Sequence, residues 1–167
     1  NYIATLQVMS DTGCLSIPVS KIIKVNPLPL INFSLPDICL PDGRGQFNDA
    51  STIPDNSSAL FSYLWNFGDP NDATPSTLKN PIHQYTALAP SSGYEVKLKI
   101  TTKDGCIDSL TQSFNKVYPQ PKADFSTTPS NGQICLADTV FFKDLSDGKT
   151  SLVNAWNWSF GDNTTST

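Results

Sequence analysis

One histidine, His83, stands alone among 167 residues. No second imidazole and no nucleophile is placed by sequence to work with it, so general acid–base and covalent catalysis lack a visible partner set. A glycine-rich phosphate loop is absent as well. No Cys-x-x-Cys pair occurs, and with a single imidazole there is no ligand set for a metal cluster. Apolar runs last only a few residues, far short of a bilayer span. Eleven basic residues face fifteen acidic ones, for a net charge of −4. No basic run exists, which excludes a surface that tracks nucleic-acid phosphates. No signal peptide is visible, but residue 1 lies inside a strand pattern, so that absence says nothing about export. No window of about 12 residues carries a helical period. Charge is sparse at 16%, while aspartate, asparagine, serine and threonine are plentiful, a look common among secreted β proteins.

What the chain does contain is itself, twice. Tyr2, Leu6, Val8, Gly13, Cys14, Lys24, Val25, Pro27 and Pro29 return 92 positions later as Tyr94, Leu98, Ile100, Gly105, Cys106, Lys116, Val117, Pro119 and Pro121. Beyond the junction Phe33 returns as Phe125, Cys39 as Cys135, and Trp65-Asn66-Phe67-Gly68-Asp69 as Trp158-Ser159-Phe160-Gly161-Asp162. The reading is a window on a tandem array. Residues 1–26 are the C-terminal part of one module, 27–118 a complete module, and 119–167 the N-terminal part of a third. Only the middle unit has the elements to close a core, and its length suffices for a small sandwich. A chain built from copies of one small module is suited to reach, space or bind.

Tyr94 to Thr101 alternates apolar and polar residues, the period of a half-buried strand, and Tyr2 to Val8 is its earlier copy. Lys103-Asp104-Gly105 and Asp11-Thr12-Gly13 supply turn chemistry. A second strand, about 107–117 or 15–25, then completes an antiparallel hairpin. Pro27-Leu28-Pro29 and Pro119-Gln120-Pro121 punctuate the junctions as short stiff connectors, because proline cannot donate to a ladder. Strands are expected around Phe33 and Phe125, around Gln46-Phe47, and around Val140-Phe141-Phe142. A polar loop spans Pro70 to Lys79. Many short strands with Pro, Gly and Asp turns predict an all-β sandwich. Trp65 and Phe67 alternate across Asn66 and point to one face, so they supply a large share of the core, about 2 to 3 kcal/mol for each ring. Gly68 permits a turn that Asp69 fixes through backbone N–H bonds. Trp156 adds a third indole, at a module edge.

The four cysteines fall at two positions per repeat: 14 and 106, and 39 and 135. An oxidising compartment would make a disulfide of the two cysteines of each module. Within the complete module the available partners are Cys39 and Cys106, and closing so long a loop stabilises by about 4 to 5 kcal/mol in the chain-entropy model. Cys14 and Cys135 would then have partners outside the chain. Four buried free thiols are the alternative.

The order Trp65-Asn66-Phe67-Gly68-Asp69, Asn80-Pro81-Ile82-His83-Gln84-Tyr85, Gly93-Tyr94-Glu95-Val96-Lys97-Leu98 and Asp104-Gly105-Cys106 closely resembles the polycystic-kidney-disease-type (PKD) domain, an immunoglobulin-like β-sandwich of extracellular proteins. Tyr2 to Cys14 and Trp158 to Asp162 fit the same pattern. The resemblance implies tandem immunoglobulin-like sandwiches in an extended array, with Trp65, Phe67, Gly68, Asp69, His83, Tyr85, Tyr94, Trp158, Phe160, Gly161 and Asp162 as core motif residues and a structural role for His83. In such a layout Cys39 and Cys106 could lie toward opposite ends of the sandwich, where geometry forbids a bond. The Pro-x-Pro junctions and paired cysteines look like the PKD arrays of large surface proteins from gliding and related Bacteroidetes, exported by the type IX route.

The function this implies is non-catalytic: an extracellular stalk or adhesin at the cell surface. Its partners would be neighbouring modules, other copies of the chain, or surface glycans and proteins. An accessory carbohydrate- or matrix-binding region of a secreted hydrolase is the alternative, since PKD modules also accompany chitinases, collagenases and proteases. An exposed aromatic platform, with Trp156 and Tyr63 as candidates, would favour that alternative. Assembly into a filament is a third possibility. No cofactor is expected. Calcium is a weaker alternative at Asp69, Asn71, Asp72 and Asp162-Asn163, whose oxygens suit a hard cation although their spacing lacks the regularity of a calcium loop. Asp108-Ser109-Leu110 and Asp138-Thr139-Val140 match the Asp-Ser/Thr-aliphatic pattern that Bacteroidetes O-glycosylate, making Ser109 and Thr139 candidates. Asn-x-Ser/Thr sequons begin at Asn32, Asn56, Asn157 and Asn163.

Overall fold

The computed structural model describes residues 1–130, 132–136 and 138–167. The first segment is a hairpin of β1 (Tyr2–Leu6) and β2 (Val19–Ile23). The middle segment contains β3 (Phe33–Ser34), β4 (Ile38–Cys39), β5 (Arg44–Gln46), β6 (Asn48–Asp49), β7 (Ser62–Asn66) and β8 (Ile82–Gln84). It closes with β9 (Tyr94–Thr101), β10 (Ile107–Phe114) and β11 (Val117–Tyr118). The third segment carries β12 (Phe125–Thr128), β13 (Phe141–Asp144), β14 (Trp158–Ser159) and β15 (Thr165–Ser166). One short 3-10 turn, Ser58–Leu60, interrupts the strands.

In the middle segment the sheet β10-β9-β7 and the antiparallel pairs β5-β8 and β3-β6 enclose one core, and the parallel pair β4-β11 follows directly on the end of β10. Alternation dictates the buried face. In β9 the residues Tyr94, Val96, Leu98 and Ile100 are buried, while Glu95, Lys97 and Lys99 turn away from the core. Trp65 and Phe67 are buried as their spacing requires, at 0% and 3% exposure. Phe33, Ile38, Phe47, Tyr85, Phe114 and Val117 complete the cluster. Among the described residues the buried aromatic and aliphatic cluster lies between residues 33 and 117. Among the described residues no buried side-chain polar atom lacks a hydrogen-bond partner. The middle segment therefore closes its own core and its own polar account, the two conditions for folding alone.

The third segment rebuilds part of this arrangement. Phe33 meets Trp65 edge-on at 5.1 Å and 76°, and Phe125 meets Trp158 at 5.4 Å and 75°. Phe47 lies 5.1 Å from Phe67 at 53°, and Phe142 lies 5.0 Å from Phe160 at 52°. Polar contacts follow suit. The Asn32 N–H donates to Ser51 Oγ at 3.1 Å, and the Asp124 N–H to Ser146 Oγ at 3.2 Å. The hairpin turns match too: the Cys106 N–H donates to Thr102 Oγ1 at 3.1 Å, and the Cys14 N–H to Ser10 Oγ at 3.0 Å. Large apolar side chains of the first and third segments remain exposed, Tyr2, Ile3 and Phe141 at about two-thirds or more of their surface.

The expected Cys39–Cys106 disulfide is overturned by this topology. Cys106 sits in the turn that opens β10, whereas Cys39 is in register with Tyr118, past the far end of that strand. The eight residues of β10 alone span about 26 Å, while a disulfide needs its Cα atoms within about 7 Å. All four cysteines are free thiols: Cys14, Cys39 and Cys135 are exposed and Cys106 is half-buried. The alternative of four buried thiols fails on the same burial values.

Candidate functional site

The motif residues converge at one end of the middle segment's core. Trp65 anchors the polar loop: its backbone N–H donates to Ser76 O at 2.8 Å and its Nε1–H to Leu78 O at 3.0 Å. Phe67 lies parallel to Trp65, with centroids 6.3 Å apart and planes 3° apart. The chain then turns through Gly68, whose φ of 65° is left-handed. A Cβ at Gly68 would stand 2.6 Å from the backbone N of Glu95, so only glycine fits there.

Asp69 follows, and its side chain is only 1% exposed. Its Oδ1 accepts the Asn71 N–H at 2.9 Å, as expected of a turn-fixing aspartate. Its Oδ2 lies 3.2 Å from His83 Nε2. The His83 side chain is 5% exposed, covered by the Phe67 ring stacked at 4.2 Å and abutted by Tyr85 at 4.7 Å. Tyr85 donates its hydroxyl to Phe67 O at 2.8 Å and stacks on Tyr94 at 4.3 Å. Burial, reinforced by nearby Asp69, pushes the Tyr85 and Tyr94 hydroxyls above the ordinary phenol range. The cluster ties three elements together: the turn after β7, β8 and the start of β9. With its imidazole sealed under aromatic rings, it is arranged to fix geometry.

The remaining candidates do not join this cluster. Asp72 accepts the Thr74 N–H at 3.0 Å and Asp162 accepts the Thr164 N–H at 2.9 Å, so each carboxyl group stabilises its own turn. Among the described residues no three His, Cys, Asp or Glu side chains are grouped to hold a metal. Ser109, on β10, and Thr139, ahead of β13, are both exposed. Gly161 repeats the left-handed turn with φ 83°.

The two candidate platform rings occupy matching places. Tyr63 donates its hydroxyl to Asp49 Oδ2 at 3.1 Å, and burial together with Asp49 pushes it up to about 12. Trp156 is hydrogen-bonded to Asp144, which this contact helps, after Ser146, to hold below the usual carboxyl range. Trp156 is 41% exposed and borders a cavity of about 260 Å³ with Lys122, Asp124 and Asn157.

Two opposed antiparallel layers around an aromatic core, closed by a parallel terminal pair, define an all-β, immunoglobulin-like domain. Residues 26–117 match the PKD domain family, and the chain belongs to it. PKD domains are in general extracellular. Among solved structures the chain is similar to the PKD1 domain of Vibrio anguillarum Epp, at 26% identity and a TM-score of 0.43, covering 53% of this chain and 93% of that one. No curated protein matches the chain. No helix is long and apolar enough to cross a membrane among the described residues.

Proposed function

We propose that this chain is part of a non-catalytic tandem array that serves as a stalk or adhesin at a cell surface, of the kind Bacteroidetes export by the type IX route. Its modules set reach, and their outer faces carry protein or glycan contacts. The observation that supports this reading best is the repeated geometry: the third segment reproduces the Phe–Trp–Phe constellation of the complete module within a few tenths of an ångström, and the first reproduces its hairpin turn. Sealed burial of the lone histidine fits a scaffold. Pulling a chain of several 27–118 modules in reducing buffer should give equal, reversible steps of roughly 30 nm each. Unequal or absent steps would sink the array reading.

Trp156 supports a second reading, an accessory carbohydrate-binding region of a secreted hydrolase, because an exposed indole beside polar side chains suits a sugar face. Insoluble-polysaccharide pull-down of the whole chain separates the two. Retention that is lost in Trp156→Ala favours the accessory region, and no retention favours the spacer.

A further inference from the structure

We propose that the two recurrent cysteines join consecutive modules, the Cys39 position of one to the Cys106 position of the next. The proposal rests on the array reading above. Both positions converge on the same junction residue. Asn26 and Tyr118 are repeat equivalents, each immediately before a Pro-x-Pro connector. Seen from the preceding module, the relevant contact is that of Cys39: it is in parallel register with Tyr118, and the Leu40 N–H donates to Tyr118 O at 2.9 Å. Seen from the following module it is that of Cys106, whose Sγ lies 4.0 Å from Asn26 O. One carbonyl oxygen is thus approached both by the strand that carries Cys39 and by the turn that carries Cys106. Cys39 stands one strand spacing, roughly 4.8 Å, from Tyr118, and the Cys106 sulfur 4.0 Å from the equivalent oxygen. That brings the two cysteines within the reach of a disulfide.

Two further contacts hold the turn at the junction. Lys24 Nζ, two residues before Asn26, lies 3.3 Å from Asp104 Oδ1. Lys103 Nζ binds Asp55 and Asp104 at 2.9 and 3.0 Å, bracing the turn against its own module. At the next junction Cys39 is exposed and borders a cavity of about 310 Å³, lined also by Tyr118, Pro119 and Leu152. Residues 1–26 contain no counterpart of Cys39 for Cys106 to meet, and Cys135 belongs to the same class as Cys39. Four free thiols in this chain follow directly.

The bond forms by exchange with a disulfide oxidant of the exported compartment. Two cysteine thiols become one S–S bond, and the oxidant's S–S bond becomes two thiols that take up both protons and both electrons. The mechanical consequence is large. Such a bond bypasses everything from Leu40 of one module to Gly105 of the next, leaving only residues 27–39 of the first and 106–118 of the second to carry tension. Reduced, the array yields module by module in full-length steps; oxidised, it can release only those short terminal strands.

The test is a tandem of two 27–118 modules exposed to oxidised glutathione. One version keeps only Cys39 of the first module and Cys106 of the second, a second version keeps the opposite pair, and a third keeps both cysteines within one module; the others are C39S or C106S. All three should remain folded by circular dichroism, since neither cysteine is in the core. The first version should lose both titratable thiols while staying monomeric, and peptide mapping should recover the linked pair. It should then show no full-length unfolding step under force until reductant restores two. Free thiols in the first version, or equal closure in the other two, overturn the proposal. If the reduced chain gives two equal steps while the thiols stay free, the disulfide fails and the array stands. If it gives no equal steps, the array reading itself has failed.

Discussion

Asp69 and His83 lose their water together, and each makes good the other's loss. With Asp69 Oδ1 already satisfied by the Asn71 N–H, the imidazole is what keeps Oδ2 from being a buried, unpaired acceptor. His83→Ala should therefore destabilise the fold by about 3 kcal/mol, combining the orphaned oxygen with the hole left beneath Phe67. Urea midpoints of His83→Ala, Asp69→Ala and the double variant check it. The double should cost at least about 1 kcal/mol less than the sum of the singles, because the pair is one interaction. Additive losses would show that the two residues act separately. The sequence marks Asp69 as a turn anchor and His83 as structural. It holds nothing that brings them together across 14 positions, because that contact is made only when β8 lies beside the turn after β7. The aspartate partners of Tyr63 and Trp156 escaped sequence reading for the same reason. Each is a long-range contact set by packing.

Strands were legible where alternation is strong and hidden where pairing is short. β9 runs Tyr94–Thr101 as its pattern demands, and β10 begins at Ile107 after the expected turn. The two-residue parallel pair of β4 and β11 has no periodic signal, yet it decides which end of the sandwich holds Cys39. That is why spacing alone paired the cysteines wrongly: it counts residues and cannot see which end a short strand occupies. Turns show the complementary limit. Gly68 and Gly105 both have positive φ, 65° and 81°, and look alike in sequence. They differ in surroundings, since a Cβ at Gly68 meets the β9 backbone at 2.6 Å, while one at Gly105 has nothing within 4 Å. Gly105→Ala should cost about 1 kcal/mol, the backbone strain alone. Gly68→Ala should cost about 3 kcal/mol or more, because strand backbone in a sheet cannot step aside. Equal denaturant midpoints for the two variants would refute the distinction.

At the scale of the molecule, stability should reside in one segment. Among the described residues the aromatic and aliphatic core cluster lies between residues 33 and 117, with no member from the flanking segments. What crosses into the middle segment from the first is slight: the Lys24–Asp104 pair, whose lysine is 64% exposed, and the approach of Cys106 Sγ to Asn26 O. Exposed ion pairs of this kind contribute little and fade with salt. Residues 27–118 made alone should therefore unfold in one cooperative transition, with a midpoint close to that of the same core in the 167-residue chain. Cutting four residues further in, at 114, should behave very differently. It removes β11, exposes Ile38 and takes away buried Val117, which together contribute about 3 kcal/mol or more. Thermal unfolding followed by tryptophan fluorescence distinguishes the cases, because the module's only indole is Trp65 at the centre of its core. If removing residues 1–26 and 119–167 lowered the midpoint as much as the cut at 114 does, the flanking segments would be part of the fold and the 27–118 boundaries would be wrong.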